Sequence, residues 1–112
     1  MTAALEASGA GVIASFVMAG GVLTGKYDAG DSGRAAAEIG DPRYGAARES
    51  GTRLRALAAD LGTTPAALAI AFALANPAVT SVLFGATSPA QIDQNLAALE
   101  LDPATVRQAL EL

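Results

Sequence analysis

The sequence contains no cysteine and no histidine among its 112 residues. Without cysteine the chain has no disulfide, no thiolate nucleophile and no zinc–thiolate site. Without histidine it lacks the usual general acid–base and the commonest metal ligand. Any proton chemistry must therefore come from carboxylates, from Tyr27 or Tyr44, or from Lys26, which is the only lysine.

Charged residues are also few, at 16% of the chain, and the formal net charge is −4. Nucleic-acid surfaces need clustered lysine and arginine, so this balance argues against a nucleic-acid partner. Hydrophobic residues make up 52% of the sequence, which argues against disorder of the whole chain. The length allows one small domain, and the absence of cysteine is compatible with the cytoplasmic location that we expect.

Residues 7–25 carry no charge and nearly reach the length of a membrane-spanning helix. The stretch holds five glycines, so its helix propensity is poor, and no positive residue precedes it as a signal peptide would require. The other long apolar run, at residues 66–75, is too short to span a bilayer. We therefore expect no membrane segment.

Residues 82–95 predict the end of a buried strand, a tight turn and the start of a helix. Ser88 suits the N-cap, and Gln91 completes a Ser-x-x-Gln capping box. Helical spacing places Gln91, Gln94 and Asn95 near one another, beside a helix N-terminus that favours anions. This combination suits a phosphate and a purine edge, and the alternative is an ordinary capped helix with polar residues facing water.

The same stretch also predicts how the chain turns and packs. Gly85 allows a tight turn or a close approach to a ligand. Ile92, Leu96 and Leu99 recur at helical spacing and predict a buried stripe on the helix that follows Ser88.

Two strands, at residues 11–17 and 80–84, are separated by helices predicted at residues 52–61 and 65–75. Strands joined through helices imply parallel pairing. The second helix is apolar nearly all round, so we expect neighbours on several sides of it. It offers no arginine, lysine or glutamine to bases, which argues against a DNA-binding helix-turn-helix.

Further helix boundaries are marked by local signals. A helix at residues 2–7 is predicted to stop at Gly9. A capping residue followed by proline marks three helix starts, at Thr64, Ser88 and Asp102. The last of these helices is predicted over residues 104–112.

Two loops are candidates for ligand contacts. Residues 18–27 are rich in glycine, so backbone N–H groups can reach a ligand, and Lys26 can supply a positive charge for phosphate. A flexible turn with a solvated lysine is the alternative. Residues 28–51 predict a long, mobile, lid-like loop with a short helical turn near residues 35–39. In that loop Arg34 could close onto an anion or remain an unpaired surface side chain.

Four stretches in order resemble the C-terminal part of the aldo-keto reductases, in the bacterial and potassium-channel β-subunit branch: GVIA at 11–14, AGGVLTGKY at 19–27, NPAVTSV at 76–82 and GATSPAQ at 85–91, followed by Asn95. The resemblance covers nearly all of residues 1–112. It implies an α/β fold, namely a C-terminal fragment of a (β/α)8 TIM barrel with strands seven and eight, their helices and the closing helix. It also implies an oxidoreductase that reduces aldehydes or ketones with NADPH.

The resemblance assigns cofactor contacts to both ends of the chain. Ala19, Gly20 and Gly21 would lie along the pyrophosphate, and Lys26 and Arg34 would clasp phosphates. A second set would meet the adenosine end of NADPH: Gly85, Thr87, Ser88, Gln91, Gln94 and Asn95. Gln94 stands where the family often has glutamate.

One departure concerns the nicotinamide. Ser15 stands where many relatives have an aromatic residue that stacks on this ring. Phe16 is displaced by one position, and one residue along a strand reverses the face. We therefore expect Phe16 to point elsewhere and assign it no stacking role.

The other departure concerns catalysis. The Asp, Tyr, Lys and His set of the family belongs to the first half of the barrel, which this sequence does not contain. We therefore expect no catalytic residue, no metal and no reductase activity from this chain alone, whether it is a truncated gene product or half of a split one. Its expected partners are NADP(H) and either a second copy or a complementary barrel half that covers open strand edges. The alternative is a non-catalytic nucleotide-binding or protein-interaction module.

Overall fold

A computed structural model describes residues 2–29 and 39–110. Within these ranges the helices and strands are, in chain order, α1 (Thr2–Ser8), β1 (Val12–Ala14), α2 (Gly45–Asp60), α3 (Pro65–Leu74), β2 (Val79–Val82), α4 (Pro89–Leu96) and α5 (Pro103–Ala109). Short 3₁₀ segments lie at Ala19–Thr24, Lys26–Ala29, Pro42–Tyr44 and Ala97–Glu100. The Ala19–Thr24 segment is called the glycine turn below.

Helix α3 lies at the centre of the core. Residues 67–71 of this helix are all buried, and α3 contacts α2, α4, α5, β2 and the glycine turn. Leu68 is fully buried, as are Ala58 of α2 and Val106 of α5, which belong to the same hydrophobic cluster. The prediction that the helix at residues 65–75 has neighbours on several sides is therefore confirmed.

The two strands pair in parallel, as predicted from the helices between them. Val12 is opposite Val79 and Ala14 is opposite Val82, with an irregularity in register after Val12. Both strands are shorter than the sequence predicts. The chain thus has the parallel α/β arrangement that was expected, with a two-stranded sheet among its described residues.

The three predicted helix starts are confirmed by their capping hydrogen bonds. The side chain of Thr64 accepts from the N–H of Ala67 at 3.1 Å. Asp102 accepts from the N–H and the hydroxyl of Thr105, both at 2.8 Å. These bonds favour the charged carboxylate, so they hold the pKa of Asp102 below its usual value. Ser88 caps α4 and is described with the candidate site.

Helix α2 begins at Gly45, earlier than the sequence predicts, so part of the predicted loop at residues 28–51 is helical. The reason is another local start signal. Asp41 accepts from the N–H of Arg43 at 2.8 Å, and Pro42 follows it in the first turn of the 3₁₀ segment that leads into α2. The side chain of Arg43 also pairs with Asp41, and these contacts lower the pKa of that carboxyl. Arg34 and most of the predicted turn at residues 35–39 lie outside the described residues.

The predicted buried stripe on α4 is wrong. Ile92, Leu96 and Leu99 are 44%, 49% and 72% exposed, whereas Asn95 is only 4% exposed. Helical spacing predicts one face for the three apolar residues, but Leu99 lies in the 3₁₀ segment after α4, and burial depends on whether another element covers that face. Helix α4 instead turns Asn95 inward, and Ala98 of the 3₁₀ segment that follows α4 joins the cluster around α3.

No single helix in residues 2–29 or 39–110 is long and apolar enough to cross a bilayer. Two successive helical segments, Pro42–Asp60 and Pro65–Leu74, have the length and apolar composition of a membrane span only when they are taken together, and the angle between them is 98°. The uncharged stretch at residues 7–25 forms the end of α1, strand β1 and the glycine turn rather than one helix.

Candidate functional site

The glycine turn has a left-handed backbone at three successive residues. The φ angles are 50° at Ala19, 68° at Gly20 and 95° at Gly21. Glycine adopts this conformation without strain, whereas Ala19 is a non-glycine residue in a sparsely populated region. The N–H of Ala19 donates to the carbonyl of Phe16, and the N–H of Gly21 donates to that of Met18, both at 2.9 Å. These two N–H groups are therefore used in local backbone hydrogen bonds, and ligand contacts from other N–H groups of residues 18–27 stay a prediction.

Lys26 and Tyr27 close over the same turn. The hydroxyl of Tyr27 donates to the carbonyl of Gly20 at 2.9 Å. The Lys26 Nζ lies 5.0 Å from the centre of the Tyr27 ring, within range of a cation–π contact. A Cβ atom built on Gly21 would lie 3.2 Å from Lys26 Cε, closer than most real contacts. The glycine at 21 thus lets the lysine lie against the turn, and the ammonium group sits beside it.

The N-terminus of α4 has a tighter side-chain network than predicted. Ser88 Oγ accepts from the N–H of Gln91 at 3.3 Å, as expected of the N-cap. Gln91 Oε1 accepts from the N–H of Thr87 at 2.7 Å and from its hydroxyl at 3.1 Å. The predicted capping box would direct Gln91 to the N–H of Ser88. The structure directs it one residue further back, so it fixes Thr87 at the surface.

The polar residues expected to face an adenine do not share one surface. Gln91 and Gln94 are exposed, but Asn95 is buried. Gly85 has nothing within 4 Å of the place where a Cβ would stand. The described protein atoms therefore do not require glycine there, and its close-approach role stays a prediction.

The two groups of predicted residues rest on a common support, because the glycine turn and α4 both pack on α3. The described surface also has hollows near the glycine turn, since Leu23 lines one of them and Asp28 lines another. One hollow of about 650 Å³ lies between α2, α3 and α5, and another of about 450 Å³ lies beside Asp28 and the first half of α2. None of the predicted cofactor residues that the structure describes lines either hollow. The candidate site is therefore not placed in either of these hollows.

Sequence reasoning missed an ion-pair cluster beside the glycine turn. Asp28 Oδ2 lies 3.1 Å from Arg55 Nη2, and Asp28 Oδ1 lies 3.9 Å from Arg48 Nη2. Arg48 and Arg55 are two helical turns apart on α2, so they share a face. That spacing was the available signal, and it was hidden because residues 28–51 were predicted to be a loop.

Comparison with known proteins gives a consistent picture. A sequence model described as "Aldo/keto reductase family" matches residues 1–111. A probable voltage-gated potassium channel subunit beta of Arabidopsis thaliana is 38% identical over 94 residues, which are 77% of this chain and 29% of that protein. A similarly named protein of Oryza sativa subsp. japonica is 35% identical over 102 residues, 84% of this chain and 31% of its own length.

A third protein, a putative voltage-gated potassium channel subunit beta of Schizosaccharomyces pombe, is 33% identical over 89 residues. That match covers 71% of this chain and 26% of the yeast protein. The chain thus spans less than a third of the length of each of these curated relatives.

Proposed function

Since the chain belongs to the aldo/keto reductase family, we propose that it forms the NADPH-binding portion of an enzyme that reduces aldehydes or ketones. Bound NADPH would supply the hydride for that reduction. One observation carries the proposal: the ammonium group of Lys26 lies against the left-handed glycine turn, in the segment that resembles the phosphate-binding loop of the family. A cation beside a turn of small residues suits a phosphate group.

In this proposal the glycine turn and Lys26 contact the pyrophosphate, and Arg34 adds a second positive charge from outside the described residues. The N–H groups of Ala19 and Gly21 donate to the carbonyls of Phe16 and Met18, just before the turn. The ammonium of Lys26 is therefore the main anion contact, and Gly20 and Gly21 have no side chains to hinder close approach. The residues fit a phosphate through charge and shape rather than through a cradle of N–H groups.

At the other end of the cofactor we propose contacts from Gly85, Thr87 and Ser88 at the start of α4, with Gln91 and Gln94 toward the adenine. The exposed position of these two glutamines supports this. Open space around Gly85 leaves room for a ligand. Asn95 is also part of the proposal, although it contacts the ligand only if α4 rotates enough to expose it.

We further propose that this chain alone does not reduce carbonyl compounds. It has no histidine for the catalytic set that the family resemblance implies. A complementary barrel half or a second copy would cover the apolar residues on the sheet, where Ile13 is 62% exposed and Leu83 is 61% exposed. In this view residues 1–112 are one part of a cytoplasmic reductase domain.

A non-catalytic interaction module is the second candidate function. The exposed residues Ile92, Leu96 and Leu99 favour it, because a cluster of apolar side chains on a surface is typical of a protein-binding site. The relatives are themselves named as channel subunits, which is consistent with a protein partner. Sedimentation velocity tests this candidate, since a Leu96→Asp variant should lose any self-association that the unchanged chain shows.

The cofactor proposal is tested by calorimetric titration with NADPH, with NADH and 2′-phospho-AMP as comparators. We expect saturable binding that is stronger for the two ligands with a 2′-phosphate, NADPH and 2′-phospho-AMP, than for NADH. Replacing Lys26 by methionine should weaken NADPH binding by about tenfold or more, because a charge-assisted hydrogen bond contributes about 1.5–3 kcal/mol. Arg53→Gln on the exposed surface of α2 is the charge control and should leave the affinity unchanged. Absence of saturable heat with the unchanged chain contradicts the proposal.

A further inference from the structure

Arg55 of α2 contacts the segment that carries Lys26 at both of its ends. On one side, Arg55 Nη2 lies 3.1 Å from the carboxylate of Asp28. On the other side, its guanidinium packs on Gly25, where an added Cβ would lie 2.6 Å from Nη1. Lys26 and Tyr27 are the two residues between these contacts. One side chain of α2 therefore brackets the lysine and the tyrosine that close over the glycine turn.

The space for this arginine is made by two glycines on different elements. Gly25 has a φ of 77°, which is strained for any residue with a side chain. Gly51 is buried inside α2, and a Cβ there would lie 3.2 Å from the Leu23 backbone and 3.3 Å from Arg55 Nη1. Helix α2 and the glycine turn thus approach closely, with the guanidinium between them.

The guanidinium is also held from its own helix. Arg55 Nη2 donates to Thr52 Oγ1 at 3.2 Å, one turn earlier on α2. Arg48 lies on the same face and reaches Asp28 at 3.9 Å. A planar guanidinium with several fixed donors can meet Asp28 and Thr52 at once, which a lysine at this position could not do with the same geometry.

We propose that Arg55 is a positioning residue that holds the Lys26 ammonium against the glycine turn. Its effect passes through the short segment between Gly25 and Asp28. Tyr27 extends it to the turn itself, because the ring lies under Lys26 and the hydroxyl donates to Gly20. The consequence for NADPH affinity rests on the proposed function, whereas the effect on the position of Lys26 does not.

This role is separable from a general contribution to stability. The Arg55 and Asp28 side chains are 31% and 47% exposed, and ion pairs at that exposure contribute little to folding. An Arg55→Gln variant should therefore remain folded, as circular dichroism would show. Asp28→Asn is a second, milder variant that removes the same ion pair from the other side.

The position of Lys26 can be measured directly because it is the only lysine in the chain. Selective isotope labelling of lysine gives one set of side-chain signals in an NMR spectrum, and the Tyr27 ring at 5.0 Å shifts them. In Arg55→Gln and in Asp28→Asn we expect these signals to move toward the values of a solvated lysine. Arg53→Gln, on the same helix with the same change of charge, should leave them in place. Unmoved lysine signals in both folded variants overturn the proposal.

Titration with NADPH then tests the consequence for the cofactor. Arg55→Gln should weaken NADPH binding by about tenfold, equivalent to about 1.4 kcal/mol, with little change in Arg53→Gln. Displaced lysine signals without a change in NADPH affinity would overturn the link to the cofactor. If the unchanged chain does not bind NADPH but its lysine signals still depend on Arg55, the positioning role stands and the proposed function fails.

Discussion

Replacing Gly11 by alanine should weaken the pairing of β1 with β2. A Cβ at this position would lie 2.8 Å from Thr80 Oγ1 and 3.1 Å from Thr80 Cβ, and closer still to Thr80 Cγ2. Rotation of the Thr80 side chain leaves Thr80 Cβ in place, so the contact between that atom and the new methyl group remains. Rotation would also break the hydrogen bond from Thr80 Oγ1 to the carbonyl of Val12 at 3.2 Å. The strands must therefore separate or slide.

The size of the effect follows from two opposing contributions. Forcing an extra methyl group into a packed site costs about 1–3 kcal/mol, and an exposed strand end should fall in the lower half of that range. Loss of glycine also restricts the unfolded chain, which stabilises the folded state by about 0.4–1 kcal/mol. We expect Gly11→Ala to lower the free energy of unfolding by about 1 kcal/mol, measured by urea denaturation followed by circular dichroism.

A double-mutant cycle with Thr80→Ala isolates the cause. That change removes Oγ1 and Cγ2, so Gly11→Ala should then cost little, and the coupling between the two sites should be about 1 kcal/mol. Gly45→Ala at the open start of α2 is the control and should be neutral or slightly stabilising. An equal cost of Gly11→Ala with and without the Thr80 side chain would refute the reasoning.

Three further changes have defined outcomes. Gly85→Ala should leave the urea midpoint unchanged, because no atom lies within 4 Å of the position that the new Cβ would take. The same methyl group should hinder the proposed close approach of NADPH and weaken its binding by about tenfold in a calorimetric titration. Asp102→Asn should remove a pH-dependent part of the stability: the pKa of Asp102 is lowered in the folded state, so its contribution is present above pH 3.8 and disappears as the pH falls through the folded-state pKa, which acid titrations of the two proteins would show. Arg107→Ala removes the 3.2 Å hydrogen bond to the Ala75 carbonyl at the end of α3 and should cost about 1 kcal/mol in urea denaturation.

Helix starts were predictable because their signals are local. A capping side chain and the following proline act within one turn of helix, so Thr64, Ser88 and Asp102 needed no knowledge of the rest of the fold. The start of α2 carries the same kind of signal at Asp41 and Pro42. It was overlooked because the glycines that follow are typical of loops. At one of them, Gly51, the helix has little room for a side chain, because Leu23 and Arg55 occupy the space beside it.

Burial on α4 was not predictable from periodicity. The spacing of Ile92, Leu96 and Leu99 predicts that they share one face, but spacing alone does not show whether a neighbouring element packs against that face. Packing against α3 sets the inward face here: Asn95 of α4 is buried, and so is Ala98 of the 3₁₀ segment that follows. The apolar residues are left exposed, and they form the surface that the proposed interaction module would use.

The candidate site shows the same division. The network of Thr87, Ser88 and Gln91 lies within a few residues. The sequence predicted the Ser88 cap, but not the hydrogen bond in which Gln91 accepts from the N–H of Thr87. The position of Lys26 depends instead on Arg55, whose place beside the turn is set by the packing of α2 against it. The strength of the proposed phosphate contact at Lys26 would therefore depend on residues remote in sequence. Because α3 packs against both the glycine turn and α4, the distance between the two proposed cofactor-binding regions is set by the central core rather than by either loop.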